Sequence, residues 1–230
     1  MPESINQIVP RDYLNNIYQN IFLGDMVTHN KVRNVESLRL LISKIAETVM
    51  HEVSYNRLVK SVRQTGNSIS VPVAINYVDY AKEAYLLFDI KNFASKFSER
   101  ESIPKFYFLD NGLLNLFLFK KEAALLENIV ALTLYNQYGK DLYYLHSIKN
   151  KIDLDFYLPN ERTAIQVAWE LDDFSREREV NALLTLAEKD KNISEYKIIT
   201  YEQEEIIEEN NVKIKIIPLY KFLLEHSRKQ

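Results

Sequence analysis

The stretch KIDLDFYLPNERTAIQVAWEL, residues 151–171, decides how this chain is read. It predicts two strands joined by a polar turn. Side chains two apart on a strand share a face. Asp153 and Asp155 therefore point together on the first strand, and Gln166, Ala168 and Glu170 on the second. Ile152, Leu154, Phe156, Ile165, Val167 and Trp169 form the opposite, core-facing set. Such a hairpin is an active site, the remains of one, or an ordinary pair of strands.

Working outward, Glu127 lies on the helix predicted before this hairpin, inside the apolar run LLENIVAL. Burying an unpaired carboxylate there is costly. Magnesium-dependent phosphodiester cleavage needs two or three carboxylates for the hard cation, and usually a lysine to orient water or stabilise developing charge. Glu127 and Asp155 are the candidate ligands for Mg²⁺ or Mn²⁺, with Asp153, Gln166 and Glu170 completing the candidate catalytic set. A metal-dependent nuclease hairpin carries Glu-x-Lys where this chain has Gln166-Val167-Ala168. Gln166 offers a neutral oxygen and Ala168 nothing, so the site reads as vestigial unless Glu170, Arg176 or Arg178 substitutes from a shifted position. The structural alternative makes Asp153 and Asp155 the solvated face of a strand and pairs Glu127 with a lysine or arginine.

The rest of the chain places this hairpin. YLNNIYQNIFLGDMV and residues 35–50, VESLRLLISKIAETVM, have helical periodicity. Ser54 caps a short helix, YNRLVKSVRQTG, that ends at Gly66. Pro72 sits early in a third helix, where proline is tolerated. AYLLFDIKNF and IPKFYFLD read as strands. Helices followed by a strand pair are the order of a winged helix-turn-helix, and equally of a three-helix bundle with a hairpin. After the polar FSERESIP the order becomes helix, three strands, helix, strand, strand, helix, which implies a mixed sheet flanked by helices. The expected domains are 1–105 and 106–230.

Composition narrows the function classes. The 230 residues are 47% hydrophobic and 27% charged, with no cysteine, so disulfides and thiolate metal sites are excluded. No apolar run reaches the ~18 residues of a membrane span. The start lacks the features of a signal peptide. A cytoplasmic location is expected. The first 105 residues carry a net charge of +2 and the remainder −5, too small an asymmetry to mark an obvious nucleic-acid binder. The basic region gathers Arg57, Lys60 and Arg63 with Lys31, Arg33, Arg39 and Lys44. It contacts phosphates weakly or is an ordinary solvated face. Asn76 is the candidate base-reading side chain. The scattered His29, His51, His146 and His226 suggest no zinc site.

The stretches YLNNIYQNIFLGDMV, VPVAINYVDYAKEAYLLFDI, PKFYFLDNGLLN, LLENIVALTLY, KIDLDFYL, AIQVAWEL and REVNALLTL, in this order, give a resemblance covering nearly the whole chain. It resembles the C-terminal region of unknown function of prokaryotic AAA+-type ATPases. The resemblance implies an α+β chain: a helical, winged-helix domain followed by a PD-(D/E)xK nuclease-like, restriction-endonuclease-like α/β domain. The acidic positions fall on Glu127, Asp153 and Asp155. The Glu/Gln-x-Lys position falls on Gln166 and Ala168, where the chain departs from an active pattern. Such ATPases carry a P-loop, and no G-x-x-x-x-G-K-[ST] occurs here. FYFLD resembles a Walker B strand, with a structural role implied.

The implied function is a non-catalytic module of an ATPase system, acting in weak DNA binding or in protein interaction and regulation. It is either part of a longer ATPase or a stand-alone relative. The expected partners are DNA and an ATPase module in the same or another chain. No cofactor is expected unless the chain is a nuclease using Glu127, Asp155 and Glu170 with Mg²⁺ or Mn²⁺. A winged-helix transcriptional regulator is the further alternative.

Overall fold

A computed structural model describes residues 9–93, 103–119, 122–149 and 151–227. The described chain is mixed α and β, with helices first and strands of both orientations after them. It divides into two compact units. The first comprises residues 1–89 and 102–121, the second 90–101 and 122–230.

In the first unit, α1 (Pro10–Asn20) runs directly into a wider π-helical segment, Ile21–Thr28. Thr28 and Asn30 close that segment by donating to the carbonyls of Leu23 and Met26. Three capped helices follow. Asn34 accepts from Ser37 N at the start of α2 (Val35–Glu47). Ser54 accepts from Arg57 N at the start of α3 (Tyr55–Arg63). Ser70 accepts from Val73 N at the start of α4 (Val71–Glu83), with Pro72 in the first turn. Each cap satisfies an amide that the helix itself cannot. Gly66 leaves α3 at φ +86°, a conformation open to glycine. Leu38, Leu41, Ile42, Ile45, Leu58, Val62, Ala74 and Val78 are buried along the inner faces of these helices.

Strand β1 (Leu87–Asn92) begins in this unit and is a ladder neighbour of β2 (Lys105–Phe108). Asp110, the acid of FYFLD, caps the single turn α5 (Asn111–Leu114) by accepting from Leu113 N at 2.9 Å. Gly112 is closely approached there: a Cβ would lie 2.9 Å from the Asp110 carboxylate and 3.1 Å from the Leu14 side chain. That close approach brings α5 against α1. Residues 106–121 therefore belong with the helices, whereas a single cut after residue 105 gives them to the second unit. The segment 94–102, which holds most of FSERESIP, lies outside the described residues.

The second unit contains α6 (Glu122–Tyr138), β3 (Tyr143–Ser147), β4 (Ile152–Leu158), β5 (Thr163–Val167), α7 (Asp173–Lys189), β6 (Glu195–Thr200), β7 (Glu205–Glu209), β8 (Val212–Pro218) and α8 (Leu219–Ser227). Its sheet order is β1-β3-β4-β5-β6-β8-β7, β1 contributing Lys91 and Asn92. The β1/β3, β5/β6 and β6/β8 pairs are parallel, and β3/β4, β4/β5 and β7/β8 antiparallel. Strand β5 is buried along its whole length, as expected of a central strand covered on both faces. Its expected polar face is therefore no solvent face: Gln166 and Ala168 are both buried. Strand β7, EIIEE, has no counterpart in the sequence expectation. Its residues are mostly exposed and rich in glutamate, which strands disfavour. It holds its place by a hairpin to β8 through Asn210 and Asn211, both at positive φ.

Candidate functional site

The β4–β5 hairpin forms as expected, but its two strands separate where the chemistry was expected. Their pairing runs from Leu158↔Thr163 to Phe156↔Ile165 and stops. Strand β5 instead stays with β6 as far as Val167↔Ile199. The next opposed residues, Asp155 and Gln166, stand at the divergence, and their side chains replace the missing ladder. Gln166 Oε1 accepts from Asp155 N at 2.8 Å. Gln166 Nε2 donates to Asp153 O at 3.0 Å. Asp155 Oδ2 accepts from Val167 N at 3.0 Å. Buried backbone groups must find partners, and two side chains supply them.

A second carboxamide does the same on the other side of the β3–β4 pair. Asn92, buried at the end of β1, donates to His146 O at 2.8 Å and accepts from His146 N at 3.1 Å. His146 faces Asp153 in the β3–β4 register, and its Nδ1 lies 3.3 Å from Asp153 Oδ1.

The residue that sequence reading missed is Glu179 on α7. It is 5% exposed. One carboxylate oxygen accepts from Gln166 Nε2 at 2.9 Å and the other from Arg178 Nε at 2.9 Å. Burial pushes its carboxyl above the usual range, and Asp155 and Asp153 push it the same way against the opposing Arg178. The hydrogen bond to Glu179 in turn raises the Arg178 guanidinium, with Asp155 and Asp153 adding to the effect. The result is an electrostatically coupled group of Asp153, Asp155 and Glu179 against one arginine.

Glu170 is exposed beyond the end of β5, which stops at Val167, and its carbonyl accepts from Ser175 Oγ. Trp169 is correspondingly not core-facing: it is 37% exposed and stacks on Tyr201. Both misplacements come from continuing the two-residue alternation past the strand end. Glu127 is 1% exposed on α6. Arg176 is held bidentately by Glu205 at 2.7 and 2.6 Å. Among the described residues, no group of three or more His, Asp or Glu side chains is placed to hold a metal ion.

In the first unit, Arg57, Lys60 and Arg63 follow one another at helical spacing on the exposed side of α3, opposite buried Leu58, Val59 and Val62. Arg63 is committed: its Nε and Nη2 donate to Ile69 O at 3.3 and 3.0 Å, bracing the turn into α4. Arg57 lines a surface cavity of about 320 Å³ with Lys44, Thr48, Ser61, Gln64 and Glu47, the last paired with Lys44 at 2.8 Å. Asn76 is exposed on α4. No described helix is long and apolar enough to cross a membrane.

Comparison with known proteins gives two similarities. Residues 1–124 match the family model described as a domain of unknown function, DUF8612. Over 234 aligned residues the chain is 29% identical to an uncharacterized protein of the archaeon Methanocaldococcus jannaschii. The alignment takes in 97% of this chain but only 52% of that protein, so the chain spans about half its relative's length. No solved structure matches.

Proposed function

The chain belongs to the DUF8612 family of domains of unknown function, and from that premise we propose that it is a non-catalytic, DNA-contacting module of an ATPase system. In this reading the first unit is a winged helix and the second a nuclease-like fold whose catalytic positions have been turned to structural use. The observation that carries the proposal is the engagement of Gln166 and Asp155. Both side chains close the β4–β5 divergence on backbone groups, and Arg178 occupies Glu179. A carboxylate that caps a backbone amide and a guanidinium that neutralises its neighbour act against a hydrated divalent cation.

The DNA contact falls to Arg57 and Lys60, the exposed cations of α3, with Lys44 beside Arg57. So few cations give weak, salt-sensitive attachment to phosphates. The acidic second unit is unsuited to that contact. The ATPase partner follows from the resemblance in sequence. The chain itself has no P-loop, so nucleotide hydrolysis would reside elsewhere in the system.

The test is duplex and single-stranded DNA binding by fluorescence anisotropy across a salt series, with and without Mn²⁺. Binding that weakens steeply with salt, drops in Arg57→Ala/Lys60→Ala, and leaves the DNA intact in Mn²⁺ is the expected result. Ala168→Lys, which restores the lysine spacing, is expected to leave the DNA intact as well. Manganese-dependent cleavage lost in Asp155→Ala would overturn the non-catalytic reading. Absence of binding at low salt would overturn the DNA contact and leave protein interaction as the module's role.

A further inference from the structure

The second unit carries an aromatic surface that the hairpin chemistry does not use. Trp169 and Tyr201 stack with ring centroids 4.3 Å apart and planes 14° apart. They remain 37% and 44% exposed. Their backbone is fixed at the ends of β5 and β6. Ala168 N donates to Ile199 O at 3.0 Å, and Tyr201 N to Trp169 O at 3.2 Å. Gln203 then clamps Leu171 on both sides, accepting from its N at 2.6 Å and donating to its O at 3.2 Å. Thr200 Oγ1 donates to Gln203 O at 2.7 Å. The pair is thus anchored by its backbone hydrogen bonds while both rings stay partly open to water. Phe174, in the first turn of α7, is 80% exposed.

Carboxylates outnumber cations in the segments that carry the platform. Glu170, Asp172 and Asp173 follow Trp169, and Glu202 follows Tyr201. The nearby cations are already neutralised: Arg176 by Glu205 and Lys221 by Glu204. A phosphate backbone approaching here meets an excess of carboxylates over cations. A guanidinium meets them favourably, and its plane can lie on an indole face, where cation–π attraction adds to stacking. An exposed aromatic anchor inside a rim of complementary charge is the arrangement that concentrates binding energy at protein interfaces.

We propose that the Trp169–Tyr201 platform, rimmed by Glu170, Asp173 and Glu202, is a docking surface for an arginine-bearing segment of a protein partner. This goes beyond the DNA contact proposed for the first unit and does not depend on it.

Trp169 is the chain's single tryptophan, so its fluorescence in the full-length protein reports on this surface alone. The experiment titrates the protein with a blocked hexa-arginine peptide, a hexa-lysine peptide and a twelve-residue single-stranded oligo-dT. Hexa-arginine is expected to change Trp169 fluorescence saturably and to bind several-fold more tightly than hexa-lysine. The Glu170→Gln/Glu202→Gln variant, altered only at exposed positions, is expected to weaken that binding at least threefold with unchanged circular dichroism. Arg57→Ala/Lys60→Ala is expected to leave it unchanged, which separates this result from the fate of the DNA reading. No saturable change with hexa-arginine to millimolar concentration overturns the proposal. So does binding indifferent to the two glutamine substitutions. Oligo-dT binding more tightly than hexa-arginine at this reporter also overturns it, and assigns the platform to nucleobases instead.

Discussion

Gln166 shows how one side chain can look catalytic in sequence and act structurally in the fold. It replaces a segment of β-ladder, and truncation leaves Asp155 N, Asp153 O and Glu179 each short of a partner. Gln166→Ala is expected to cost about 2–4 kcal/mol, from three lost hydrogen bonds at ~0.5–1.5 kcal/mol each, measured by urea denaturation. Glu179 gives the matching pH signature. Its carboxyl is raised in the fold, chiefly by burial, from an ordinary value of 4.5. A raised group contributes stability that is full below the unfolded value and is lost as pH rises through the folded one. Relative to Glu179→Gln, the native protein is therefore expected to lose stability as pH climbs from 4.5 toward neutrality. Parallel stability–pH curves for the two proteins would contradict this. Glu179 was within reach of sequence reading, since it falls on the same helical stripe as Val180, Leu183, Leu184 and Ala187, all buried. Its place in the charged run SREREV concealed it.

At the scale of elements, local signals carried most of the first unit. Ser54, Ser70, Pro72 and Gly66 mark helix ends by chemistry that depends on a few neighbouring residues, and the structure uses each there. Ser70→Ala is expected to destabilise by about 1 kcal/mol, typical of a lost N-cap. Arg63 joins two elements by bonding Ile69 O, so Arg63→Ala is expected to lower the melting temperature, whereas Arg57→Ala and Lys60→Ala leave it nearly unchanged. Differential scanning calorimetry on the three variants separates the brace from the exposed cations. The second unit was legible where strands alternate and illegible where tertiary pairing decides. No local pattern says that β5 will follow β6 and desert β4, or that EIIEE will be ordered by β8.

For the whole molecule, alternating helical and strand periods were enough to read an α+β chain with two parts, but not the crossing of segments between them, residues 90–101 going with the second unit and 102–121 with the first. That division depends on where β1 finds its partners and on how closely Gly112 approaches Leu14, neither of which periodicity encodes. Strand β7 closes one border of the second unit's sheet, with Glu205, Ile206, Glu208 and Glu209 exposed along it. Ionised, those glutamates keep another copy's strand from adding to the border. Without that charge, β7 is a short strand whose outer hydrogen-bonding groups stay open to another copy. Light scattering at neutral pH is expected to be higher for Glu208→Gln/Glu209→Gln than for the native protein. The border that the fold leaves open is thus also where the tendency of one copy to join another is held in check.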